Sequence, residues 1–441
     1  MARTLIALLA VVLLAAAACG GSSGDESGPV RFLVFGDPEE LAAYRELIAA
    51  YGDQDREAEV QLVEASDRED LLARLSTSFA AGDPPDVFLI NYRFYGQFAA
   101  RDALEPLEER AHDSDAFSLE DFYPQPVEAF RWRGRVTCLP QNISSLVVYY
   151  NRDLFRRHAV PEPEAGWTYS EMVERAAQLT LDANGVPVQA ADPTAGGAVT
   201  RRPAVFGLGI EPSIIRLAPF VWSGGGEIVD DERGPTRFVL DRPASLTALQ
   251  SFLDLRSRYG VTPTDQDREA EDDEARFANG RMAMVLSSRR STPTFRTIED
   301  FDWDVAPLPV LGEQAGILHS DAYCMAAASS RKDAAWSFIE FALGPEGQRV
   351  VARTGRTVPS LISVSRSPAF LDPDVRPRNA RAFLDGIPTI RRVPSISTWP
   401  EIEDTVDPIL ERSIELGFPA AEVAREIDEA TRPLFARAER P

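Results

Sequence analysis

Residues 30–51 read VRFLVFGDPEELAAYRELIAAY, and they decide the fold class. The first six residues form a short apolar run, which is typical of a buried strand. After this run, Asp37 suits the N-cap position of a helix, Pro38 suits the first helical position, and Glu40 completes the spacing of a capping box. The stretch therefore predicts a strand that passes directly into a helix over about Glu39–Tyr51.

The same alternation continues along the chain. Val60–Val63 reads as a second strand, Arg68–Ala81 as a second helix and Val87–Ile90 as a third strand. Strands that alternate with helices build an α/β fold with a mostly parallel sheet. Ligands bind such sheets outside the carboxyl ends of the strands. The positions where we expect a ligand are therefore Gly36–Glu39, Ala65–Asp67 and Asn91–Tyr95.

The N-terminal residues have a different composition. Leu5–Ala18 is apolar but shorter than the roughly 20 residues of a membrane span, so together with Arg3 it predicts a secretory signal peptide over residues 1–18. Residues 20–28 are glycine, serine and acidic residues, which is the composition of a flexible tether. We therefore expect the folded part of the chain to begin near residue 29.

Cys19 stands between the apolar run and the tether, directly after Ala16–Ala18. This resembles the lipobox of bacterial lipoproteins, although that motif usually has leucine three residues before the cysteine, where this chain has Ala16. The resemblance implies that Cys19 is lipidated, that 19–28 is a lipidated flexible linker, and that the protein is anchored by lipid at the extracytoplasmic face of the cell membrane. The alternative is an ordinary signal peptide, cleaved nearby, that leaves a free cysteine.

Composition excludes several classes of function. A chain of 441 residues is too long for one ordinary core and predicts two lobes or more. A formal net charge of −23 argues against nucleic acid as a partner, because nucleic-acid binders need basic surfaces. The three histidines lie far apart without metal-ligand spacing, so the sequence predicts no metal site. No cofactor is predicted either.

Catalytic and nucleotide-binding motifs are not singled out either. Gly224–Gly226 lacks the lysine and hydroxyl residue of a phosphate-binding loop, and Gly207–Gly209 lacks the third glycine of a dinucleotide fingerprint. A secreted glycosidase needs two facing carboxylates, and no such pair stands out among the many acidic residues. An enzyme acting on glycans is therefore the unfavoured alternative to a protein without catalysis.

Nine sequence blocks carry a family resemblance. The first three are FAAGDPPDVFLI (79–90), FAARDALEPLEE (98–109) and GRVTCLPQNISSLVVYYNRDLFRR (134–157). Six more follow between residues 166 and 360, among them WSGGGEIVDD, RFANGRMAMVL and FDWDVAPLP. In order and spacing they resemble the extracellular solute-binding proteins (family 1, carbohydrate-type) of bacterial ABC transporters. The resemblance covers almost the whole chain after the tether.

The resemblance implies a two-lobe, periplasmic-binding-protein-like (type II) fold with interlobe crossover strands and a ligand cleft. Lobe one would comprise 29–142 plus 319–358, and lobe two 146–315 plus 362–441. The implied function is capture of a sugar or oligosaccharide and its delivery to permease subunits, by a monomer that touches the membrane through its lipid anchor only. Alternatives are a non-sugar solute such as glycerol phosphate or a peptide, and an adhesion or sensor protein that reuses the fold.

Candidate ligand-binding residues come from the strand ends and from the resemblance. Sugars offer hydroxyl groups to polar side chains and C–H faces to aromatic rings. We expect the ligand to contact Glu39, Asn91, Tyr92, Tyr95, Asn142, Ser144, Trp222, Arg289, Arg290, Asp321, Tyr323 and Trp399. Core packing is the alternative for Tyr95 and Trp222, and packing beneath the following helix is the alternative for Trp399.

Arg289 and Arg290 mark a departure from the family, which commonly has an aromatic residue about six positions after the MAM of residues 282–284. The guanidinium group presents donors that match carboxylates and phosphates. One hypothesis is that either arginine binds an acidic sugar, a phosphorylated polyol or several hydroxyls of a neutral sugar. The alternative is that both are solvated.

Cys138 and Cys324 are predicted to form a disulfide. In the fold that this chain resembles, the strand that leaves lobe one lies beside the strand that returns to it, and each carries one of these cysteines. Neighbouring strands can bring two cysteines within the Cα separation that a disulfide requires, and an extracytoplasmic location permits oxidation. The alternative is two small buried hydrophobic side chains that never meet.

Overall fold

The computed structural model describes residues 28–36, 38–54, 58–188 and 202–441. The predicted signal peptide, Cys19 and the helix cap Asp37 lie outside the described residues. Their predictions stay predictions.

The first five elements of the chain alternate between strand and helix as the sequence predicts, and further elements follow before the first crossing between the lobes. They are β1 (Val30–Phe35), α1 (Pro38–Gly52), β2 (Val60–Ala65), α2 (Arg68–Ala81), β3 (Val87–Asn91), α3 (Tyr92–Ala99), α4 (Glu108–His112), α5 (Pro124–Ala129), β4 (Arg131–Trp132), β5 (Arg135–Val136) and β6 (Leu139–Pro140).

The next part of the chain forms a second α/β unit. Its elements are β7 (Val147–Asn151), α6 (Arg152–Arg157), α7 (Tyr169–Gln178), β8 (Phe206–Gly209), α8 (Ile214–Ser223), α9 (Pro243–Ser257), α10 (Asp265–Ala270), α11 (Asp273–Ala278), β9 (Met282–Ser287), α12 (Thr292–Arg296), β10 (Trp303–Ala306) and β11 (Gly316–Ile317).

The last part returns to the first sheet and ends in helices. Its elements are β12 (Asp321–Met325), α13 (Lys332–Leu343), α14 (Pro345–Arg353), α15 (Ile362–Ser365), α16 (Ala382–Asp385), β13 (Ile390–Arg391), α17 (Trp399–Leu416) and α18 (Ala420–Ala436). The apolar spacing in Pro400–Arg437 predicts helical structure, and the structure forms it as two helices. The structure breaks it at Gly417, which adopts a left-handed φ of 70° and is followed by Pro419.

Two separate sheets define the two lobes. The first lobe surrounds a five-stranded sheet of order β2-β1-β3-β12-β6, in which β12 runs antiparallel to its neighbours. The second lobe surrounds a four-stranded sheet of order β10-β7-β9-β8. The observed architecture is the two-lobed α/β fold that the resemblance implies.

Three segments of chain cross between the lobes, and they are hydrogen bonded to one another. The segment after β6 lies in the middle. Ser144 exchanges two backbone hydrogen bonds of 2.8 Å with His319 on the returning segment, and the Ile143 N–H donates to Val358 O at 2.9 Å on the third. All three crossings therefore form one narrow ribbon beneath the space between the lobes.

A disulfide joins Cys138 to Cys324, the pair named from the sequence. Leu139 pairs with Tyr323 and Pro140 with Ala322 in the antiparallel register of β6 and β12, so the next pair outward is Cys138 and Cys324. Their Cα atoms are 4.6 Å apart. The bridge therefore ties the strand that leaves the first lobe to the strand that returns.

The third crossing ends later than the predicted boundary at residue 362, which needs correction. Leu361 and Val364 belong to the apolar cluster of the first lobe, and the Ser365 hydroxyl lies 2.9 Å from that of Tyr123. Helix α15 therefore packs on the first lobe. The chain reaches the second lobe by Phe383, whose ring packs against Tyr149 of β7.

The lobes also touch through α3 and the segment before α17. At Gly96 of α3, an added Cβ atom would lie 2.7 Å from the carbonyl oxygen of Ser395 and 3.0 Å from that of Ile396. One apolar cluster runs through this contact from the first sheet into the second lobe. The close approach requires a residue without a side chain.

Candidate solute-binding cleft

A cavity of about 340 Å³ lies where the two lobes and the crossings meet. Its walls come from the carboxyl ends of β1 and β3, the first turns of α2, α3 and α8, the segment after β9, and one face of α17. Charged residues dominate these walls. The carboxylates are Glu40, Glu211, Asp321, Glu403 and Asp407, and the arginines are Arg68, Arg93, Arg216, Arg289, Arg290 and Arg356.

Local sequence positions the side chains of the first lobe. Asp67 accepts a hydrogen bond of 2.8 Å from the backbone N–H of Asp70, which caps α2 and places Arg68 in its first turn. Asn91 caps α3 in the same way and accepts 3.3 Å from the N–H of Arg93. The strand-to-helix junctions therefore present Arg68 and Arg93 to the cleft.

Amide and carboxylate groups form the floor of the cavity. Asp321 accepts hydrogen bonds from the side-chain amides of Asn91 (3.2 Å) and Asn142 (3.3 Å). In return, the Asp321 N–H donates to Asn142 Oδ1 at 3.0 Å. Ser144, two residues after Asn142 on the same crossing, also lines the cavity. This floor can exchange hydrogen bonds with the hydroxyl groups of a solute.

Two of the cleft arginines are neutralised by carboxylates in the walls. Arg93 bonds to Glu403 of α17, and this pair is nearly buried. Arg356, on the third crossing, lies 2.5 Å from Glu40 of α1. The Tyr44 hydroxyl donates to the same Glu40 at 3.0 Å, and burial raises the pKa of Tyr44 well above its usual range. These contacts link elements of the cleft but leave little free charge.

Asp407 and His319 have perturbed ionisation. Burial raises the pKa of Asp407 to about 7, against a hydrogen bond of 2.8 Å that its carboxylate accepts from the N–H of Ile214. Burial also lowers the pKa of His319 well below its usual range, and the four surrounding arginines lower it further; they are Arg216, Arg93, Arg290 and Arg68. His319 is therefore a neutral ring among cations.

Half of the ligand-binding residues predicted from the sequence line the cavity. They are Asn91, Asn142, Ser144, Arg289, Arg290 and Asp321. Arg290 is half-exposed and bonds to Glu274 at 3.1 Å. Arg289 needs a correction, because its guanidinium lies between the rings of Phe370 and Phe383, neither of which lines the cavity. It is 1% exposed, and burial lowers its pKa to about 9.

Trp399 is not in the cleft, which contradicts the prediction that it stacks on the ligand. Its side chain is 0% exposed, and its indole N–H donates to Glu403 Oε1 at 2.6 Å. The ring packs beside Phe238 at 6.1 Å. Trp399 therefore supports α17 and orients Glu403 instead of touching solute.

The tyrosines predicted at the cleft are core residues. Tyr92 and Tyr95 are fully buried, and the Tyr95 hydroxyl donates to Arg131 O at 3.1 Å in the first lobe. Tyr323 is buried as well and accepts a hydrogen bond of 3.0 Å from Gln141. Tyr92 and Tyr95 belong to one apolar cluster and Tyr323 to the other, and none of the three lines the cavity.

Trp222 and Glu39 also lie outside the cavity lining. Trp222 is buried in the second lobe, where the Arg391 guanidinium lies 4.9 Å from its ring centre. Glu39 is exposed on the first turn of α1, and its neighbour Glu40 lines the cavity instead. A shift of one residue around the helix turns the side chain by about 100°, which is enough to exchange the two roles.

Sequence analysis missed several cleft residues for two reasons. Arg93 lies inside the range Asn91–Tyr95 where a ligand was expected, but it was not chosen as a candidate. Arg68 lies one position beyond the range Ala65–Asp67, so the rule that ligands bind at the carboxyl ends of strands could have found both. Glu211 and Arg216 follow β8, a short strand that was not predicted. Glu403 and Asp407 reach the cavity from a helix near the C-terminus, and no local signal marks them.

Neither a membrane-spanning helix nor a metal cluster is found among the described residues. No helix there combines the length and apolar character that a bilayer crossing needs. Within the same ranges, no group of three or more histidine, cysteine, aspartate and glutamate side chains is placed to hold a metal ion.

Two α/β lobes, three crossings and a polar cavity between the lobes define a two-lobed solute-binding protein. Residues 46–376 match the family model of bacterial extracellular solute-binding proteins, and the chain belongs to that family. The maltotriose-binding protein of Pyrococcus abyssi is 23% identical over 380 residues, which cover 85% of this chain and 75% of that protein.

Solved structures share the fold. An ABC substrate-binding protein from Listeria monocytogenes, in complex with cycloalternan, superimposes with a TM-score of 0.80 at 21% identity and covers 92% of this chain and 98% of its own. UgpB from Mycobacterium tuberculosis, in complex with glycerophosphocholine, gives a TM-score of 0.76 at 21% identity, and the match covers 93% of this chain and 99% of that one. These likenesses show the fold.

Proposed function

We propose that this protein is the solute-capturing subunit of an ABC importer and that it binds a carbohydrate or a small polyol between its lobes. The cavity at the junction of the two sheets is the observation that carries the proposal. Its floor of Asn91, Asn142 and Asp321 offers both donors and acceptors, as hydroxyl groups require. Relatives that bind maltotriose and cycloalternan support the same class of solute.

The size of the cavity favours a small solute. At about 340 Å³ it lies near the lower end of the roughly 300–1,000 Å³ that ligand sites occupy. Phe35 is the one partly exposed aromatic side chain in the lining among the described residues, apart from His319. Recognition therefore depends on hydrogen bonds and charge more than on stacking against rings.

A non-sugar solute such as glycerol phosphate is the second candidate. The arginines of the cleft favour it, and so does the likeness to UgpB, which was solved with glycerophosphocholine. A protein of this kind would serve the same importer and the same cleft. A glycan-cleaving enzyme has no supporting observation in the described residues.

Uptake measurements test the importer function. Deletion of the gene should abolish uptake of the solute that the purified protein binds, and a plasmid copy should restore it. A permease-independent uptake, or hydrolysis of glycans by the purified protein, would contradict the proposal. Mass spectrometry of the solute that co-purifies identifies which compound to assay.

The lipid anchor is part of the proposal and has its own test. Replacing Cys19 by serine removes the thiol to which lipid would attach, so Cys19→Ser should move the protein from the detergent phase to the aqueous phase. Labelled fatty acid should be incorporated into the wild type and not into the variant. Incorporation into both the wild type and the variant would show that lipid is attached at a residue other than Cys19.

A further inference from the structure

The cleft is rich in arginine although the protein as a whole is strongly acidic. The chain has a formal net charge of −23, yet six arginines line this one cavity. Arg93 and Arg356 are paired with carboxylates, and the guanidinium of Arg289 is buried between two rings. Arg216 and Arg290 also have carboxylate neighbours, Glu211 at 3.4 Å and Glu274 at 3.1 Å, but each contact uses a single nitrogen of the guanidinium. Donors of Arg68, Arg216 and Arg290 therefore remain for a solute, and these arginines come from both lobes.

Arg68 is the unpaired arginine on the first-lobe side of the cleft among the described residues. Among the described residues, its guanidinium has neither an ion pair nor a hydrogen bond within bonding distance. It lies 5.2 Å from the ring centre of Phe94, and the guanidinium of Arg93 lies 5.0 Å from the same centre. Two guanidinium groups therefore share one ring, and only Arg93 has a carboxylate partner, Glu403.

Arg216 faces it from the second lobe with unused donors. Its side chain is in the first turn of α8 and the residue is 6% exposed. Nη2 lies 3.4 Å from Glu211, while Nε and Nη1 are buried without a hydrogen-bond partner in the described residues. Buried donors of a charged group are costly when they stay unpaired. Oxygen atoms of a bound anion would satisfy them.

Arg290 completes the set from the segment after β9. Its Nη2 bonds to Glu274 at 3.1 Å, and more than half of the side chain stays exposed. Arg68, Arg216 and Arg290 act on the same part of the cleft, because the charge of each one lowers the pKa of His319. Arg290 also disfavours the charged forms of Arg68 and Arg216. The cations of the two lobes therefore repel one another across the cleft.

We infer that the solute is anionic, and that its phosphate or carboxylate group binds between Arg68 of the first lobe and Arg216 and Arg290 of the second. This rests on the proposed function, whose polyol would contact the floor at Asn91 and Asp321. An anion placed there turns repulsion between the lobes into attraction, since each lobe then faces a negative charge. A neutral sugar leaves the repulsion in place. The charge of the solute therefore selects what the lobes close on.

Calorimetry with matched solutes tests the inference on the purified full-length protein. The probes are glucose, glucuronate, glucose 6-phosphate and inorganic phosphate, at about pH 8, where a phosphate monoester is fully ionised. We expect at least one anion to bind about tenfold or more tightly than glucose, because charge-assisted hydrogen bonds are roughly twice as strong as neutral ones. Glucuronate and the phosphates separate a carboxylate site from a phosphate site.

Variants of α2 give a matched comparison. Arg68→Gln should weaken binding of the preferred anion about tenfold, and Arg68→Lys should recover part of the loss by keeping the charge. Arg74→Gln is the control, since Arg74 lies on the same helix, is half-exposed and pairs with Asp70 away from the cavity. Melting curves of free Arg68→Gln should stay close to the wild type, because this exposed side chain has neither an ion pair nor a hydrogen bond to lose. Arg216→Gln supplies the same test from the second lobe.

Each outcome decides one of the two proposals. Glucose binding as tightly as the anions would overturn the anionic solute and leave sugar capture standing. No binding of any of the three anions would overturn the inference as well, and so would equal anion affinity in Arg68→Gln and the wild type. Phosphate binding as tightly as glucose 6-phosphate would keep the anion site and contradict the polyol.

Discussion

Asp407 and Glu403 stand one helical turn apart on α17, and the cleft holds their carboxylates differently. Glu403 is bonded to Arg93 and to the indole of Trp399. Asp407 has a backbone N–H from Ile214 as its hydrogen-bond donor. The nearby carboxylates of Glu403 and of Glu211 add to the effect of burial, and Arg93 opposes it. The charge of Glu403 is therefore balanced by Arg93, whereas burial and the nearby carboxylates disfavour the charged form of Asp407.

Asp407→Asn should stabilise the protein at alkaline pH. The folded pKa of about 7 lies above the ordinary value of 3.8, so the folded state holds the extra proton and loses stability as pH rises from about 4 to 7. Asparagine can still accept from Ile214 N–H. We expect a gain of about 1–2 kcal/mol at about pH 8, reduced from the full linkage by partial exposure, and almost none near pH 4.

Urea denaturation at several pH values measures this difference. Asp115→Asn is the control, because it makes the same change at an exposed position in the first lobe. A gain for Asp407→Asn that is the same at every pH would show that the effect is not ionisation of this carboxyl group.

Trp399→Ala should lower stability by about 3–5 kcal/mol, which is typical of removing a large buried aromatic side chain. The side chain is fully buried, and its loss also removes a hydrogen bond from Glu403. Thermal melting measures the loss, and Trp336→Ala, at a partly exposed tryptophan, is the comparison. An unchanged melting temperature together with weaker solute binding would show that Trp399 contacts the solute.

At this scale, sequence reasoning could find polar residues at strand ends but could not orient aromatic ones. Asn91 ends β3 and Asn142 follows β6, and ligands are expected at such carboxyl ends of strands. Asp321 reaches the same edge as the first residue of the antiparallel strand β12. Tyr95 and Trp399 are amphipathic side chains, and whether they face a cleft or a core depends on neighbours distant in sequence. Burial of that kind is a tertiary property.

The elements were predictable where their signals are local. Helix α2 has the predicted bounds Arg68–Ala81, because Asp67 caps its start and Gly82 ends it with a left-handed φ of 74°. Strand β8 was missed because Phe206–Gly209 has two glycines in four residues and little alternation. The division of the last helical stretch at Gly417 shows the same dependence on one residue's conformation.

Gly96→Ala tests the contact between α3 and the segment before α17. The new Cβ atom would lie 2.7 Å from a backbone oxygen, and backbone cannot yield as a flexible side chain can. We expect the free energy of unfolding to fall by about 1–3 kcal/mol, as for other overpacked sites. Gly52→Ala is the matched control, since nothing lies within 4 Å of its added Cβ.

The two glycine variants are compared by chemical denaturation, with solute affinity measured alongside. Because α3 also carries Arg93 into the cleft, Gly96→Ala should weaken solute binding in addition to stability. Equal stability of Gly96→Ala and the wild type would mean that the lobes can separate at this point without loss.

For the whole molecule, the disulfide between Cys138 and Cys324 should be a main source of stability. It closes a loop with a sequence separation of 186 residues. The chain-entropy model values a loop of that length at roughly 5 kcal/mol, and removal of native disulfides typically costs about 2–5 kcal/mol. We expect the double variant Cys138→Ala/Cys324→Ala to lose stability within that range.

Reductant provides the control for that experiment. Dithiothreitol should lower the denaturation midpoint of the wild type towards that of the double variant and leave the variant unchanged. Solute affinity should change little at low denaturant, because both cysteines are buried away from the cavity lining. A wild type indifferent to reductant would contradict a stabilising bridge.

The overall architecture could be predicted because nine sequence blocks resemble those of a known family in order and spacing. The residues at which each lobe begins and ends could not be predicted in this way. The pairing of Cys138 with Cys324 follows from adjacent strands in a known arrangement. The assignment of α15 to the first lobe depends on contacts of Val364 and Ser365 with that lobe, and the sequence around them does not reveal it.

The same bridge changes what a single backbone cut can do outside the cell. Cys138 and Cys324 enclose the stretch that contains all four strands of the second sheet. A peptidase that nicks this stretch once opens a covalent ring without releasing a fragment, and both new ends stay attached to the first lobe. The nicked protein should therefore migrate as one species on a non-reducing gel and as two after reduction.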